Sequence, residues 1–387
     1  MSLNNKKIKS YLLSFPKSFY IILPLLVISC GSIIFKSFVD ANNPNTTKPE
    51  SSELLGVDNN PKVNLLQNNW LVYNIKSEVK LSSNNKLQTV VDKIVQYTKS
   101  KQLPLEKLSI TLIDLKENSQ AGYQSEKLRY PASVVKLFWL VGINQLVSEN
   151  KIDKSEVAEA INKMILKSDN YGASQILDKV TQTQSALNPL SLTELEAWKA
   201  KRNRINTFFR QAGYNPQINV SQKTFPIPQE HILEPIGADK QIRGNNPDKP
   251  IRNKVTTDDI SRLMYEIVTN RAVDLNASLY MKQLLTRNID PDYWKKQPPN
   301  PIEFNPVESF FGEGLSPTRS RIDSFISKAG WTTVSRQEVA YIRSSDGKSE
   351  YILAVIGDDI AYGKDKTLFP KISKLVAQQM LGIEHNP

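Results

Sequence analysis

The chain has 387 residues, of which 40% are hydrophobic and 23% charged, an ordinary globular composition long enough for one large domain with appendages. A single cysteine, Cys30, excludes an internal disulfide framework and any multi-cysteine metal site, and two histidines, His231 and His385, leave little from which to build a Ser-His-Asp triad or a zinc site. The net charge of +11 is spread along the chain, with no basic run interleaved with aromatics, which argues against a nucleic-acid partner and for a solvated surface with some attraction to membrane or wall polymers.

Lys6, Lys7, Lys9 and Lys17 precede an apolar run from Phe19 to Phe35, the pattern of an export signal, so the rest of the chain is expected outside the cytoplasm, on the periplasmic side. A cleaved signal peptide is one reading, although no clear Ala-x-Ala site follows, and residues 1–36 otherwise read as a basic start followed by a membrane attachment of one of two kinds. Val27-Ile28-Ser29-Cys30 resembles a lipobox with Cys30 as the lipidated residue, whereas the run continues past Cys30 far enough to span a bilayer as an uncleaved anchor. Residues 37–80, rich in Asn, Ser, Thr, Lys and Pro, read as a flexible tether with a short ordered piece around Trp70-Leu71-Val72-Tyr73.

Residues 81–387 read as one folded domain. Leu87, Val90, Val91, Ile94, Val95 and Thr98 recur at helical spacing, and Leu108 to Asp114 alternates like a strand. Near the other end, strands Glu338–Ile342 and Tyr351–Ile356 are joined by a Ser345-Asp-Gly-Lys348 turn, and an amphipathic helix follows from about Phe369. The expected fold class is α+β: a mainly antiparallel sheet built from both chain ends, packed with helices, with a helical section inserted between.

Three short motifs carry chemistry. Ser133-Val-Val-Lys136 follows Tyr130-Pro131-Ala132 and opens an apolar helix, so serine and lysine share one face at its first turn. A lysine buried there has a depressed pKa and can take the serine proton, while the helix start offers N–H groups to an oxyanion. The same residues would serve as a capping serine and a snorkelling lysine; Ser14, Ser77, Ser83, Ser148 and Ser345 also have a lysine three positions on. Ser168-Asp169-Asn170 lies between two amphipathic helices, where it is either a proton relay with an amide anchor or a plain N-cap turn. Lys328-Ala329-Gly330-Trp331 precedes the hairpin strands; its glycine lets a ligand approach the backbone and its lysine offers a charge, unless that lysine simply faces solvent.

In this order the motifs resemble those of the class A β-lactamase and penicillin-binding serine hydrolase family, over roughly Leu87 to Leu381. The resemblance implies acylation of Ser133, with its own N–H and that of Trp331 forming the oxyanion hole. It further implies Lys136 as base, Ser168 as proton shuttle, Asn170 holding the substrate amide, and Lys328 holding its carboxylate beside Gly330. The chain departs from the family at Ala329, which stands where a hydroxyl residue is usual and which Thr332 or Thr333 would have to replace. Class A enzymes also need a glutamate to hydrolyse the acyl-enzyme. Glu234-Pro235 resembles the start of that loop, with Glu230 as second candidate and Thr256-Thr257 as the helix that follows, but Ala238 stands where an asparagine is expected. The expected activity is β-lactam hydrolysis; a D-Ala-D-Ala-type cell-wall peptidase and a non-catalytic penicillin-binding sensor are the alternatives. A small-molecule or peptidoglycan-like acyl substrate, a membrane contact through the N-terminus, a monomer, and no metal or organic cofactor complete the expectation.

Overall fold

The computed structural model describes residues 70–74, 79–296 and 305–382. Residues 1–36, with the expected anchor and Cys30, lie outside them, and no helix among the described residues is long and apolar enough to cross a membrane.

The six strands are β1 (Ser82–Ser83), β2 (Leu108–Asp114), β3 (Ser119–Tyr123), β4 (Ile322–Thr332), β5 (Ser335–Ser344) and β6 (Glu350–Gly357). They form one sheet in the order β1-β3-β2-β6-β5-β4, antiparallel except for the short β1–β3 pair. The N-terminal β2–β3 hairpin meets the C-terminal β4–β5–β6 meander where Leu108–Asp114 pairs with Gly357–Tyr351. The sheet is thus closed by both chain ends, as the sequence pattern implies.

Strand alternation divides the buried side chains between two layers. On one face, Leu108, Ile110, Leu112, Leu353 and Val355 pack with α1 (Asn85–Ser100) and the C-terminal α13 (Leu368–Met380). The opposite face, with Ile113, Val339, Ile352 and Ala354, carries the inserted helical layer. That layer runs through α2 (Lys136–Ser148), α3 (Lys154–Leu166), α4 (Asn170–Thr181), α5 (Leu192–Arg202), α6 (Arg204–Gln211), the short α7 (Gly237–Gln241), α8 (Thr257–Val268) and α9 (Leu275–Leu285). Short helices α10 (Pro291–Trp294), α11 (Phe311–Leu315) and α12 (Ile360–Lys364) fill the connections around β4 and β6.

Helix α2 is buried on every side from Lys136 to Leu146, which its uniformly apolar sequence requires. Helix α8 starts at a reciprocal capping box between Thr256 and Asp259, which accounts for the Thr-Thr-Asp-Asp run there.

The folded part begins earlier than residue 81. Leu71 and Tyr73 are buried in the helical layer while Val72 is exposed. The Tyr73 ring lies 4.7 Å from that of Phe208, and its hydroxyl donates to Glu266 at 2.7 Å. Glu266, fully buried, also accepts from Tyr214 at 2.6 Å and pairs with Arg262 at 2.9 Å. The Trp70 indole donates to the Val180 carbonyl at 3.0 Å, at the end of α4.

A chain starting at residue 81 is therefore expected to unfold at a lower urea concentration than one starting before Trp70. Within the longer chain, Tyr73→Ala should cost about 3–5 kcal/mol through its cavity, and Tyr73→Phe about 1 kcal/mol. An unchanged urea midpoint on truncation would show that these residues merely rest on the surface.

Candidate active site

The nucleophile candidate sits where the sheet and the helical layer meet. Arg129 fixes the approach: its guanidinium donates to the Ser109 hydroxyl and to the Glu106 and Leu108 carbonyls, and its backbone bridges Val255. The Tyr130 N–H donates to Asp358 at 3.2 Å. Ala132 then adopts φ of +40°, a left-handed conformation that costs a residue with a Cβ about 1–3 kcal/mol. That turn starts a single 3-10 segment, Ala132–Val135, which holds half-buried Ser133 and runs into α2. The first amides of such a turn have no acceptor within the helix.

Lys136, one turn on, is fully buried. Its Nζ donates to Ser133 Oγ at 3.1 Å, to the Ser168 carbonyl at 2.5 Å and to Asn170 Oδ1 at 2.8 Å. Burial lowers its pKa to about 7, against a smaller opposing effect of the Asp169 charge. Ser168, at φ +55°, turns between α3 and α4, and the Asp169 side chain caps α4 by accepting from the Gly172 N–H. The triplet is therefore both a capping turn and part of the cluster: Asp169 caps, while Ser168 and Asn170 face Lys136.

Lys328 reaches the same serine from the sheet. On edge strand β4 it is buried rather than solvent-facing, and its Nζ donates to Ser168 Oγ at 2.9 Å and to the Ala329 carbonyl at 2.8 Å. Burial, then the charges of Lys136 and Arg287, push its pKa well below the usual lysine range. Gly330 brings β4 against the Ser133 turn: a Cβ there would stand 2.9 Å from Ser133 N and 3.1 Å from Val134 N. Trp331 is 42% exposed, its indole donating to the Gly363 carbonyl at 2.7 Å. Thr332, two positions beyond Gly330, is hydrogen-bonded to Ser335 at 2.9 Å, and Thr333 is exposed.

Ser133, Lys136, Ser168, Asn170 and Lys328 thus form one hydrogen-bonded cluster with Gly330 against it. Glu234 and Glu230 do not join it. Both are exposed, and among the described residues neither side chain makes a hydrogen bond or ion pair. What reaches Asn170 instead is the Pro226 carbonyl, which accepts from Asn170 Nδ2 at 2.9 Å. The loop after α6 therefore presents Phe225-Pro226-Ile227 to the cluster, with Glu234 beyond it.

That loop is held by a buried charge network which no motif in the sequence marks. Lys223 Nζ donates to Asp178 and to Ser185, each at 2.5 Å; Ser185 donates to Asp239 at 2.7 Å; Arg202 pairs with Asp178 at 2.7 Å. The Lys223 and Arg202 side chains are each only 1% exposed. Asp178 lies on α4, Ser185 in the connection to α5, Arg202 at the end of α5 and Asp239 on α7, so the network ties the loop to several elements. No group of His, Cys, Asp or Glu among the described residues could hold a metal ion.

A family described as the β-lactamase enzyme family matches residues 86–380. No curated protein matches the chain. Among solved structures, PBP-A aligns with a TM-score of 0.53 at 13% identity, covering 79% of this chain and 100% of that one. The TLA-1 extended-spectrum β-lactamase aligns at 0.52 and 13%, covering 76% and 99%. A mutant of PBP-A in an acyl-enzyme complex with penicillin G aligns at 0.50 and 13%, covering 77% and 98%. At such identities the likeness establishes the fold.

Removing one member of the loop network strands a buried charge. Lys223→Ala is expected to cost about 3–5 kcal/mol by urea unfolding. Lys179→Ala, which breaks an exposed pair with Glu156, should cost under about 1 kcal/mol. Equal costs would mean the network does not anchor the loop.

Proposed function

Given that the chain belongs to the β-lactamase enzyme family, we propose that it is a serine hydrolase in which Ser133 attacks an amide carbonyl, of a β-lactam or of a D-Ala-D-Ala-like peptide end, to form an acyl-enzyme. The observation that carries this reading is the 3.1 Å hydrogen bond from a fully buried Lys136, with a pKa lowered to about 7, to Ser133 Oγ. An amine of that pKa is neutral in a large fraction of molecules at physiological pH and can take the serine proton.

In this reading the Oγ–carbonyl bond forms as the proton passes to Lys136. The carbonyl oxygen is received by the amides of Ser133 and Trp331, which Gly330 lets approach. Ser168, between the two lysines, delivers a proton to the departing nitrogen as the amide bond breaks. Asn170 orients Lys136 through Oδ1; one Nδ2 hydrogen serves Pro226 and the other remains for the substrate carbonyl. Lys328 receives the substrate carboxylate without help from a hydroxyl at position 329.

Deacylation separates the β-lactamase reading from the peptidase one. Neither the Glu234 nor the Glu230 side chain hydrogen-bonds to the cluster among the described residues, and the wall beside Asn170 is the Pro226 carbonyl. This supports a long-lived penicillin adduct, and so a cell-wall peptidase or transpeptidase reading over efficient β-lactam hydrolysis. The exported, membrane-attached placement read from residues 1–36, and a monomeric state, belong to the same proposal.

Intact-mass spectrometry of the protein with penicillin G tests it. A covalent adduct on Ser133 that persists is expected, absent in Ser133→Ala and formed at least a hundredfold more slowly in Lys136→Ala. An adduct that clears with release of hydrolysed drug would restore the β-lactamase reading and make Glu234→Ala the deciding variant. Retention of full activity by Ser133→Ala would end both. Because deprotonation of Lys136 is required and its pKa is depressed, the acylation rate should rise with pH through about 7. A rate that stays flat from about pH 5.5 to 8.5 would exclude Lys136 as the base.

A further inference from the structure

Two arginines lie over the aromatic rings nearest the nucleophile. The Arg252 guanidinium is 5.6 Å from the ring centroid of Tyr130, three residues before Ser133. The Arg243 guanidinium is 5.4 Å from that of Phe225, the neighbour of Pro226, whose carbonyl holds Asn170. Arg252 is exposed and makes no side-chain hydrogen bond, and Arg243 donates only to the Lys223 carbonyl at 3.3 Å. Neither forms an ion pair among the described residues. Asp358, Glu234 and Asp239 lie within electrostatic reach, but Asp358 accepts from the Tyr130 N–H and Asp239 is held by Ser185. The two guanidiniums also repel: burial, and to a lesser extent the Arg252 charge, lowers the Arg243 pKa.

Like charges held near each other with no carboxylate in ion-pair contact, on flat apolar platforms, are stabilised by an anion that carries its own apolar or aromatic group. The platforms belong to the Ser133 approach and to the Pro226 loop, whereas Lys328, the group for the leaving portion's carboxylate, belongs to β4. We infer that Arg243 and Arg252 form an anion subsite for the acyl portion of the substrate, selecting acyl groups with a carboxylate beside an aromatic or apolar part. The inference rests on the reading of Ser133 as an acylated nucleophile.

Carbenicillin and benzylpenicillin, which differ by one carboxylate on the phenylacetyl side chain, are the probes. Binding is measured calorimetrically on the full chain carrying Ser133→Ala, so that no acylation is needed. Carbenicillin is expected to bind about tenfold tighter at low salt, the scale of one charge-assisted hydrogen bond. Arg252→Gln, at an exposed side chain, should cut that ratio at least about threefold, and the double variant with Arg243→Gln should bring it to about one. A ratio near one in the parent, undetectable binding of both drugs, or a ratio unmoved by the substitutions would overturn the subsite. A ratio that behaves as expected while the protein with Ser133 intact forms no adduct would leave the subsite standing and remove the acylation reading instead.

Discussion

The site depends on a lysine amine placed where water cannot solvate it. Lys136 is held by acceptors from its own turn, from the Ser168 carbonyl and from Asn170. In that setting its charged form is disfavoured enough to lower the pKa to about 7. Such a group is worth its destabilisation only if the surrounding walls stay fixed, and much of the structure around it serves that end. The buried α2 sets its depth, the left-handed Ala132 sets the direction of Ser133, and Gly330 lets β4 close against the turn.

Two clamps hold the walls together. Arg287 joins the end of α3 to β4, donating to the Ile165 carbonyl at 3.0 Å and the Ser327 carbonyl at 3.3 Å. It therefore fixes the gap between the turn bearing Ser168 and the strand bearing Lys328. On the opposite face of the sheet, burial raises the pKa of Glu338 to about 8, and its carboxyl accepts from the Phe311 N–H at 2.7 Å. The second clamp is the Lys223–Asp178–Arg202–Asp239 network, which holds the loop against Asn170. Both clamps use buried charge, which is costly when unpaired but restricts the partners to one arrangement.

Lys328 shows how position changes chemistry. Read from the chain, it is a lysine on an edge strand, and the edge position is correct. Yet it faces the helical layer, beside another buried lysine, and burial with that neighbouring charge holds its pKa well below the usual lysine range.

Apolar periodicity alone marks the helices and strands at both ends and the closing of the sheet by both termini, because that signal is local. The gathering of Ser133, Lys136, Ser168, Asn170 and Lys328 is instead what the resemblance of three motifs, taken in order, implies. Each motif alone reads equally as a cap or a surface lysine, and the residues meet only across 32 and 160 positions of chain. Only the tertiary structure decided the loop. The Glu-Pro pair before Thr256-Thr257 points to Glu234. The loop's path is set instead by Lys223 meeting Asp178, Ser185 and Asp239 across more than one helix. A lysine and an aspartate that pair over 45 positions look like any surface charges in a chain with 50 basic residues. The ordered piece at Trp70–Tyr73 is legible as an apolar run in a polar stretch, but its place in the core is not, because the partners Val180 of Trp70 and Phe208 and Glu266 of Tyr73 are supplied from more than a hundred residues away.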